Sequence, residues 1–479
     1  MISEQIIREV LAQAGSSGGD FVDLFVERRR TNGVYCEENR IERVNSGIDL
    51  GAGIRVISRE NTAYAFTNDL SREGLLEAAR IASHAIEGGQ GTRSIDLRKV
   101  VSPVQLTVRL TPDQVPIDRK VEMVKTANQV ARGFDPRIRQ VAVSYGDVIQ
   151  DLLMANSEGS LVEDRRIRTR LVVNAVAAEG SIIQTGYEAI GGHIGYELLE
   201  DEEQKVENLA KEAARRAIIM LTARPAPAGR MPVVLSGEAG GTMVHEACGH
   251  GLEADHIQRG LSVYAGKKGE KVASDMITVI DDATIPGRYG SYSFDDEGTP
   301  GQKTVLIEAG VLKGYMYDRL TARKDKVESS GNGRRESYHF RPVPRMSNTY
   351  IAAGKDDPQQ IIKDTRMGLL VKKMGGGQVN TVNGDFVFDV SEGYLIENGE
   401  VGAAVRGATL TGNGPEVLRM VERVGSDLGF AIGTCGKDGQ GVPVSDAQPT
   451  LYIKELIIGG LEMPVTASSL RRVGLRSVF

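Results

Sequence analysis

The chain has 479 residues, 58 Lys plus Arg against 64 Asp plus Glu and a formal net charge of −6; that length fits two or three domains with a core that needs no covalent staples. The mildly acidic balance lacks the basic footprint of a nucleic-acid binder, 41% hydrophobic residues exclude a disordered chain, and three cysteines cannot build a disulfide framework. With 57 Gly, no Trp and only 5% aromatic residues, the composition favours a β fold rich in turns and bulges over a helical bundle.

The N-terminal run Met1-Ile2-Ser3-Glu4-Gln5 is charged early and has no apolar core of a secretory signal. The longest apolar stretches, such as that around Ala217–Leu221, fall far short of the roughly 18 residues a membrane span needs. The expectation is a cytoplasmic chain with neither membrane nor nucleic acid as partner.

Ser3 can cap a first helix to about Ala14, because Ile6, Ile7, Val10 and Leu11 share one helical face. From Phe21 to Asn68 the pattern predicts an antiparallel meander of short strands: 21–27, 33–38, 43–45, 51–58 and 62–67. Residues 71–86 read as a helix, 92–116 as irregular, and 116–133 as a third helix. Strands follow at 140–145, 150–156 and 167–177, then a long helix at 200–223. Arg224-Pro225-Ala226-Pro227-Ala228-Gly229 is the best domain boundary, since two prolines and a glycine directly follow that helix. The division is therefore an α+β N-terminal domain, 1–223, of antiparallel sheets with helices, and a β-rich C-terminal domain, 230–479. Within the second, 232–235 reads as a buried strand, 238–256 as a glycine-bearing helix, and 304–308, 311–317, 386–390, 393–397 and 450–456 as strands. Hairpin turns are expected at Glu308–Val311 and Glu397–Glu400, and a short helix at 415–424.

The sharpest chemical feature is His245-Glu246-Ala247-Cys248-Gly249-His250, in a chain with only six histidines. The motif resembles His-Glu-x-x-His with one residue added. At about 100° per residue, positions i and i+5 of a regular α-helix lie about 140° apart, so both imidazoles reach one ion only if the helix bulges or unwinds between them. Gly249 and Gly251 flank His250, where distortion costs least. Glu246 can then stand beside the metal as a general base. Two imidazoles do not hold a catalytic zinc; a third ligand is needed. Cys248, Glu253, Asp255, His256 and Cys435 are the candidates, and spacing does not choose between Glu253 and Cys435. Cys248 reads more simply as a small buried apolar residue, and His193 and His256 as ordinary polar residues. Gly375–Gly377 and Gly439–Gly441 read as tight turns. An oxyanion helper is sought in the cluster Tyr338, His339 and Arg341, where ordinary loop roles compete.

Four segments resemble the TldD branch of the TldD/PmbA zinc metallopeptidases. They are 245–255, Asp295-Asp296-Glu297-Gly298-Thr299-Pro300, Arg345-Met346-Ser347-Asn348-Thr349 and 433–440 around Cys435. The resemblance implies His245, His250 and Cys435 as ligands of one Zn²⁺ per catalytic chain, and Glu246 as base. It also implies unfolded or extended peptides as substrates inside an enclosed cavity, a homodimer or a heterodimer with a PmbA-like paralogue, and a link to DNA gyrase regulation; the charge balance argues against direct DNA contact. Competing expectations are a zinc amidase acting on a small molecule and a non-catalytic regulatory subunit. Other divalent metals can also compete for such a site.

Overall fold

The computed structural model describes residues 2–86, 95–200 and 204–460. The architecture is α+β, with three main sheets. Helix α1 (Glu4–Ala14) is capped as its sequence predicts: the Ser3 side chain accepts a hydrogen bond from the Ile6 amide, and Ile7, Val10, Leu11 and Ala14 are buried. Strands β1 (Phe21–Glu37), β2 (Arg40–Ser58) and β3 (Asn61–Thr67) follow, then α2 (Arg72–His84) and α3 (Ile117–Arg132). Next come β4 (Ile138–Asn156), β5 (Ser160–Glu179), β6 (Ile182–Gly192) and α4 (Gln204–Thr222). The first sheet runs β3-β2-β1-β4-β5, with β6 and the short strand Arg98–Lys99 both on β5.

The meander is longer-stranded than the sequence pattern suggests. Residues 28–32 and 46–50 read as breaks between strands but lie inside β1 and β2, where Thr31 pairs with Gly47 and Arg29 with Asp49. Pairing along both strands supplies the backbone partners that a turn would otherwise provide. Strand β6 was not expected at all; its alternation is diluted by Gly186, Gly191 and Gly192. Gly186 is required by close approach, since a Cβ there would lie 1.9 Å from the Ala213 carbonyl of α4.

In the second half, β7 (Gly229–Leu235) is followed by β8 (Val279–Asp282), β9 (Lys303–Glu308), β10 (Asn348–Ile351), β11 (Met367–Val379), β12 (Asp385–Glu397), β13 (Glu400–Arg406) and β14 (Thr409–Asn413). Strands β15 (Gly429–Lys437), β16 (Gln440–Gln448) and β17 (Leu451–Gly459) complete it. One sheet runs β9-β8-β10-β16-β15, with Val311–Leu312 outside β9. The other runs β11-β7-β17-β14-β12-β13, and an extra β11–β12 pairing closes five of its strands into a ring. The Arg224–Pro225 segment, expected to be a linker, pairs with β13. The expected helix at 415–424 stops at Arg419, and Val421–Val424 is a strand on β17. Both expected hairpin turns form, with left-handed pairs Ala309-Gly310 and Asn398-Gly399 at their centres.

The two halves are joined by apolar contact and buried charge. Phe25, Leu152, Met154 and Val162 pack with Phe294 and Tyr338. Arg55 of β2, 1% exposed, pairs with Asp23 and, at 2.7 Å, with Glu297; Arg166 of β5 lies 2.6 Å from Asp296.

Candidate metal centre

The segment from Thr242 to Gln258 changes helical type three times. A turn of α-helix (Thr242–Val244) passes into a π-helical turn (His245–Gly249), then a 3₁₀ turn (His250–Leu252), a break at Glu253, and a last α-helical turn (Ala254–Gln258). The His250 amide donates to the His245 carbonyl, the i to i+5 bond of a π turn. One extra residue per turn brings positions 245 and 250 to one side, as the motif's spacing requires. The two imidazole centroids are 4.8 Å apart and nearly perpendicular. Close packing sets this geometry. A Cβ on Gly249 would lie 2.2 Å from the Met346 sulfur, and one on Gly241 would lie 2.2 Å from the Ala447 backbone nitrogen. The second approach brings the helix start against β16, where Asp446 sits.

Cys435 lies on strand β15, not in the glycine-rich loop its neighbours suggest; the turn comes after it, at Asp438-Gly439. Its Sγ is 3.5 Å from His250 Nε2, and the donor atoms of His245, His250 and Cys435 all lie within 4.8 Å of one another. A tetrahedral ion bound at about 2.0–2.1 Å to nitrogen and about 2.3 Å to sulfur separates those two donors by about 3.6 Å. The residues present therefore fit a divalent metal.

Each imidazole is held from behind. His245 Nδ1 is 2.8 Å from Asp446 Oδ1, and His250 Nδ1 is 3.2 Å from Glu253 Oε2. With Nδ1–H donating to a carboxylate, Nε2 is left to ligate. Burial disfavours charge on both rings, but Asp446 and Cys435 raise the His245 pKa well above its usual value, and Glu253 with Cys435 raises His250 to about 9. Burial would push the Cys435 thiol up, yet the neighbouring imidazoles bring it down to about 5. These shifts favour a thiolate beside protonated imidazoles, a charge pattern that a divalent ion can replace, since ligation displaces protons. Burial raises the Glu246 pKa against the pull of the two imidazoles. Among the described residues no hydrogen bond or ion pair engages the Glu246 carboxylate.

Glu253, the other candidate ligand, lies behind His250 on the nitrogen away from Cys435. It forms a second group of close donors with Asp255 and His256. Lys437 enters that group, its Nζ lying 3.0 Å from Glu253 and 2.7 Å from Asp255. His256 Nδ1 donates to the His250 carbonyl at 3.1 Å. Cys248 donates to the Val244 carbonyl at 3.3 Å, and burial pushes its thiol up to about 12. His193 is buried, 3.0 Å from the Ser291 carbonyl.

Tyr338, His339 and Arg341 are not joined to the cluster by any hydrogen bond among the described residues. The Tyr338 ring packs against β1, β4 and β5, its amide donates to Glu27 at 2.9 Å and its hydroxyl to Asp49 at 3.1 Å. His339 lies against Phe66, with centroids 5.0 Å apart, and the Arg341 carbonyl accepts from Gln440. Sequence reasoning assigned no role to Asp446, Lys437 or Arg345. Arg345 is fully buried and donates to the Cys435 carbonyl. For Lys437 a signal existed, because strand alternation puts 435 and 437 on one face; for Asp446 no local pattern exists.

Comparison with known proteins gives matches along most of the chain. Residues 22–86, 110–221 and 228–460 match, in turn, domain 1, the central domain and the C-terminal domain of PmbA/TldA metallopeptidases. A metalloprotease TldD homolog from Haemophilus influenzae is 38% identical over 449 residues, 92% of this chain and 93% of that one. A metalloprotease from Methanothermobacter thermautotrophicus is 39% identical over 446 residues, 92% and 96% of the two chains. In fold, TldE from Thermococcus kodakarensis superposes with a TM-score of 0.76 at 21% identity, covering 95% of this chain and all of that one. A Thermotoga maritima structure, described as a candidate modulator of a DNA gyrase, gives a TM-score of 0.79 at 23% identity, with 95% and 100% coverage.

Proposed function

Because this chain belongs to the PmbA/TldD metallopeptidase family, we propose that it is a zinc-dependent peptidase of unstructured peptides, with His245, His250 and Cys435 holding one Zn²⁺ and Glu246 serving as base. The observation that carries the reading is the convergence of those three donors, each imidazole backed by a carboxylate. Two imidazoles with one thiolate favour Zn²⁺ over harder divalent ions. When bound, the ion would be held by those three donors and would supply Lewis acidity toward a water and the scissile carbonyl.

The protein's own groups do the rest. Asp446 and Glu253 fix the ring orientations. Glu246, without a hydrogen-bond partner among the described residues and made more basic by burial, takes the proton of the attacking water and delivers it to the leaving amine. Among the described residues strand β15 is last in its sheet and carries Cys435; beyond the stretch packed against Gly237–Gly240, an extended peptide can add to it with main-chain hydrogen bonds that tolerate many sequences. A cavity of about 440 Å³ lies beside that strand, lined by Phe430, Ala431 and Ile432, by Glu188 of β6 and by Thr242, one helical turn before His245. The chain divides functionally at 224–229, with the peptidase half following. Likeness to TldE supports a paralogue of that type as partner, with self-pairing as the other arrangement. A reducing cytoplasmic setting suits a thiolate ligand; among the described residues, no helix is long and apolar enough to cross a membrane.

The test is a peptide-library digest by the purified chain, alone and with metal analysis, against Glu246→Gln. The expected result is one zinc in each protein and hydrolysis by wild type only. A Glu246→Gln protein that cleaves at the wild-type rate removes the base assignment; small amides cleaved while peptides are spared would make the chain an amidase.

A further inference from the structure

Lys437 is the only cation within ion-pair distance of Glu253 and Asp255 among the described residues, apart from His250 and His256. It sits two positions after Cys435 on β15, on the same face of the strand. Its Nζ lies 3.0 Å from Glu253 Oε2, the oxygen that faces His250 Nδ1, 2.7 Å from Asp255 Oδ1 and 3.0 Å from the Pro344 carbonyl. Glu253 is 0% exposed, and a buried carboxylate without a counter-charge is costly. His250 is therefore gripped at both nitrogens by one strand: directly by the Cys435 sulfur, and through Glu253 by the Lys437 ammonium. Arg345 holds the same strand from its backbone, donating to the carbonyls of Cys435 and Gln440.

We propose that Lys437 is a positioning residue of the metal centre: by neutralising and anchoring Glu253 it holds the His250 ring in register with the Cys435 thiolate. A built-in ammonium also fills the space between Glu253 and Asp255, so that those carboxylates serve the centre as a brace and not as ligands of a second ion. The inference rests on the metal reading above.

The experiment measures zinc affinity by competition with a chromophoric chelator for wild type, Lys437→Met, Lys437→Arg, Glu253→Gln and the Lys437→Met/Glu253→Gln double variant. Loss of a group supporting a metal-bound histidine weakens binding by about 10–100-fold, and that loss is expected for each neutralising single variant. Because Lys437 acts through Glu253, the double variant binds no more weakly than the weaker single, whereas independent losses multiply. Lys437→Arg retains the cation and restores most of the affinity. A general structural role would give multiplying losses and no rescue by Arg. One zinc in wild type with Lys437→Met affinity within about twofold of it, the scatter of independent substitutions, overturns this inference alone. Should Lys437→Met not fold, the Lys437→Arg and Glu253→Gln affinities decide: equal, full affinity in both overturns it. Wild type that holds no zinc overturns the metal reading and this inference with it.

Discussion

Tyr338 offers the most discriminating test of how the halves of this protein divide labour. Its sequence neighbourhood makes it a candidate oxyanion donor, whereas its structural surroundings are those of a joint. The ring is 3% exposed, stands among Phe25, Leu152, Met154, Val162 and Phe294, and lies so close to β2 that a Cβ on Gly51 would be 2.2 Å from it. Tyr338→Phe deletes one hydrogen bond, to Asp49 at 3.1 Å, worth about 0.5–1.5 kcal/mol. Tyr338→Ala empties an aromatic pocket, at about 3–5 kcal/mol. For a cooperative unit of 150–250 residues the second value lowers Tm by about 6–20 °C. The assay pairs calorimetric melting with peptide hydrolysis well below the melting range. The expected outcome is a Phe variant with near-wild-type kcat and an Ala variant that melts early. An oxyanion donor would instead cost about 10²–10³-fold in kcat when removed; such a loss in Tyr338→Phe, with Tm unchanged, refutes the joint and restores the catalytic role.

Other expectations follow from the same contacts. Asp446→Ala frees the back of His245 and should weaken zinc binding by about 10–100-fold, read by chelator competition. Gly241→Ala meets the backbone of β16 at 2.2 Å, so it should separate His245 from Asp446 and reduce metal affinity although no charged group is touched; an unchanged affinity would show the segment to be compliant. Stability should also depend on pH through the joint. Burial and the Glu297 charge push Asp295 up to about 8 and Asp318 up to about 7, so the folded state binds protons that the unfolded chain, near 3.9, has released. That contribution is complete below pH about 4 and is lost progressively as pH rises to the folded-state values, so it should lower Tm between pH about 4 and 8 and add no slope above that. Asp318→Asn keeps the helix cap at Thr321 and should flatten the slope; an equal slope in wild type and variant contradicts the assignment.

Much of the centre was legible from residue order because it is local. The added residue in the His-Glu motif demands a distorted helix, and the π turn at His245–Gly249 supplies it. Ser3 and the Asn398-Gly399 turn act through their nearest neighbours, and both features appear where the sequence puts them. What was not legible depends on distant chain. Cys435 is 185 positions from His250, so spacing could not choose it over Glu253, and only the family resemblance did. The glycines around it suggested a loop, yet pairing of Cys435 with Val442 makes the segment a strand. Asp446 reaches His245 from across a sheet, and no local pattern announces such a partner. In the long hairpin of β1 and β2, the turn preference of residues such as Asn32, Ser46 and Gly47 is overridden by cross-strand pairing.

The π turn also commits the fold to an odd count of residues. Both sides of it are wedged: Gly241 and Gly249 before and within it, Gly251 after it, the last with a Tyr264 ring carbon 2.8 Å from where a Cβ would stand. Deleting Ala247 or Cys248 would restore the common His-Glu-x-x-His length, but it would also wind everything downstream back by about 100°. A one-residue deletion here would therefore also need the flanking wedges at Gly241, Gly249 and Gly251 recut.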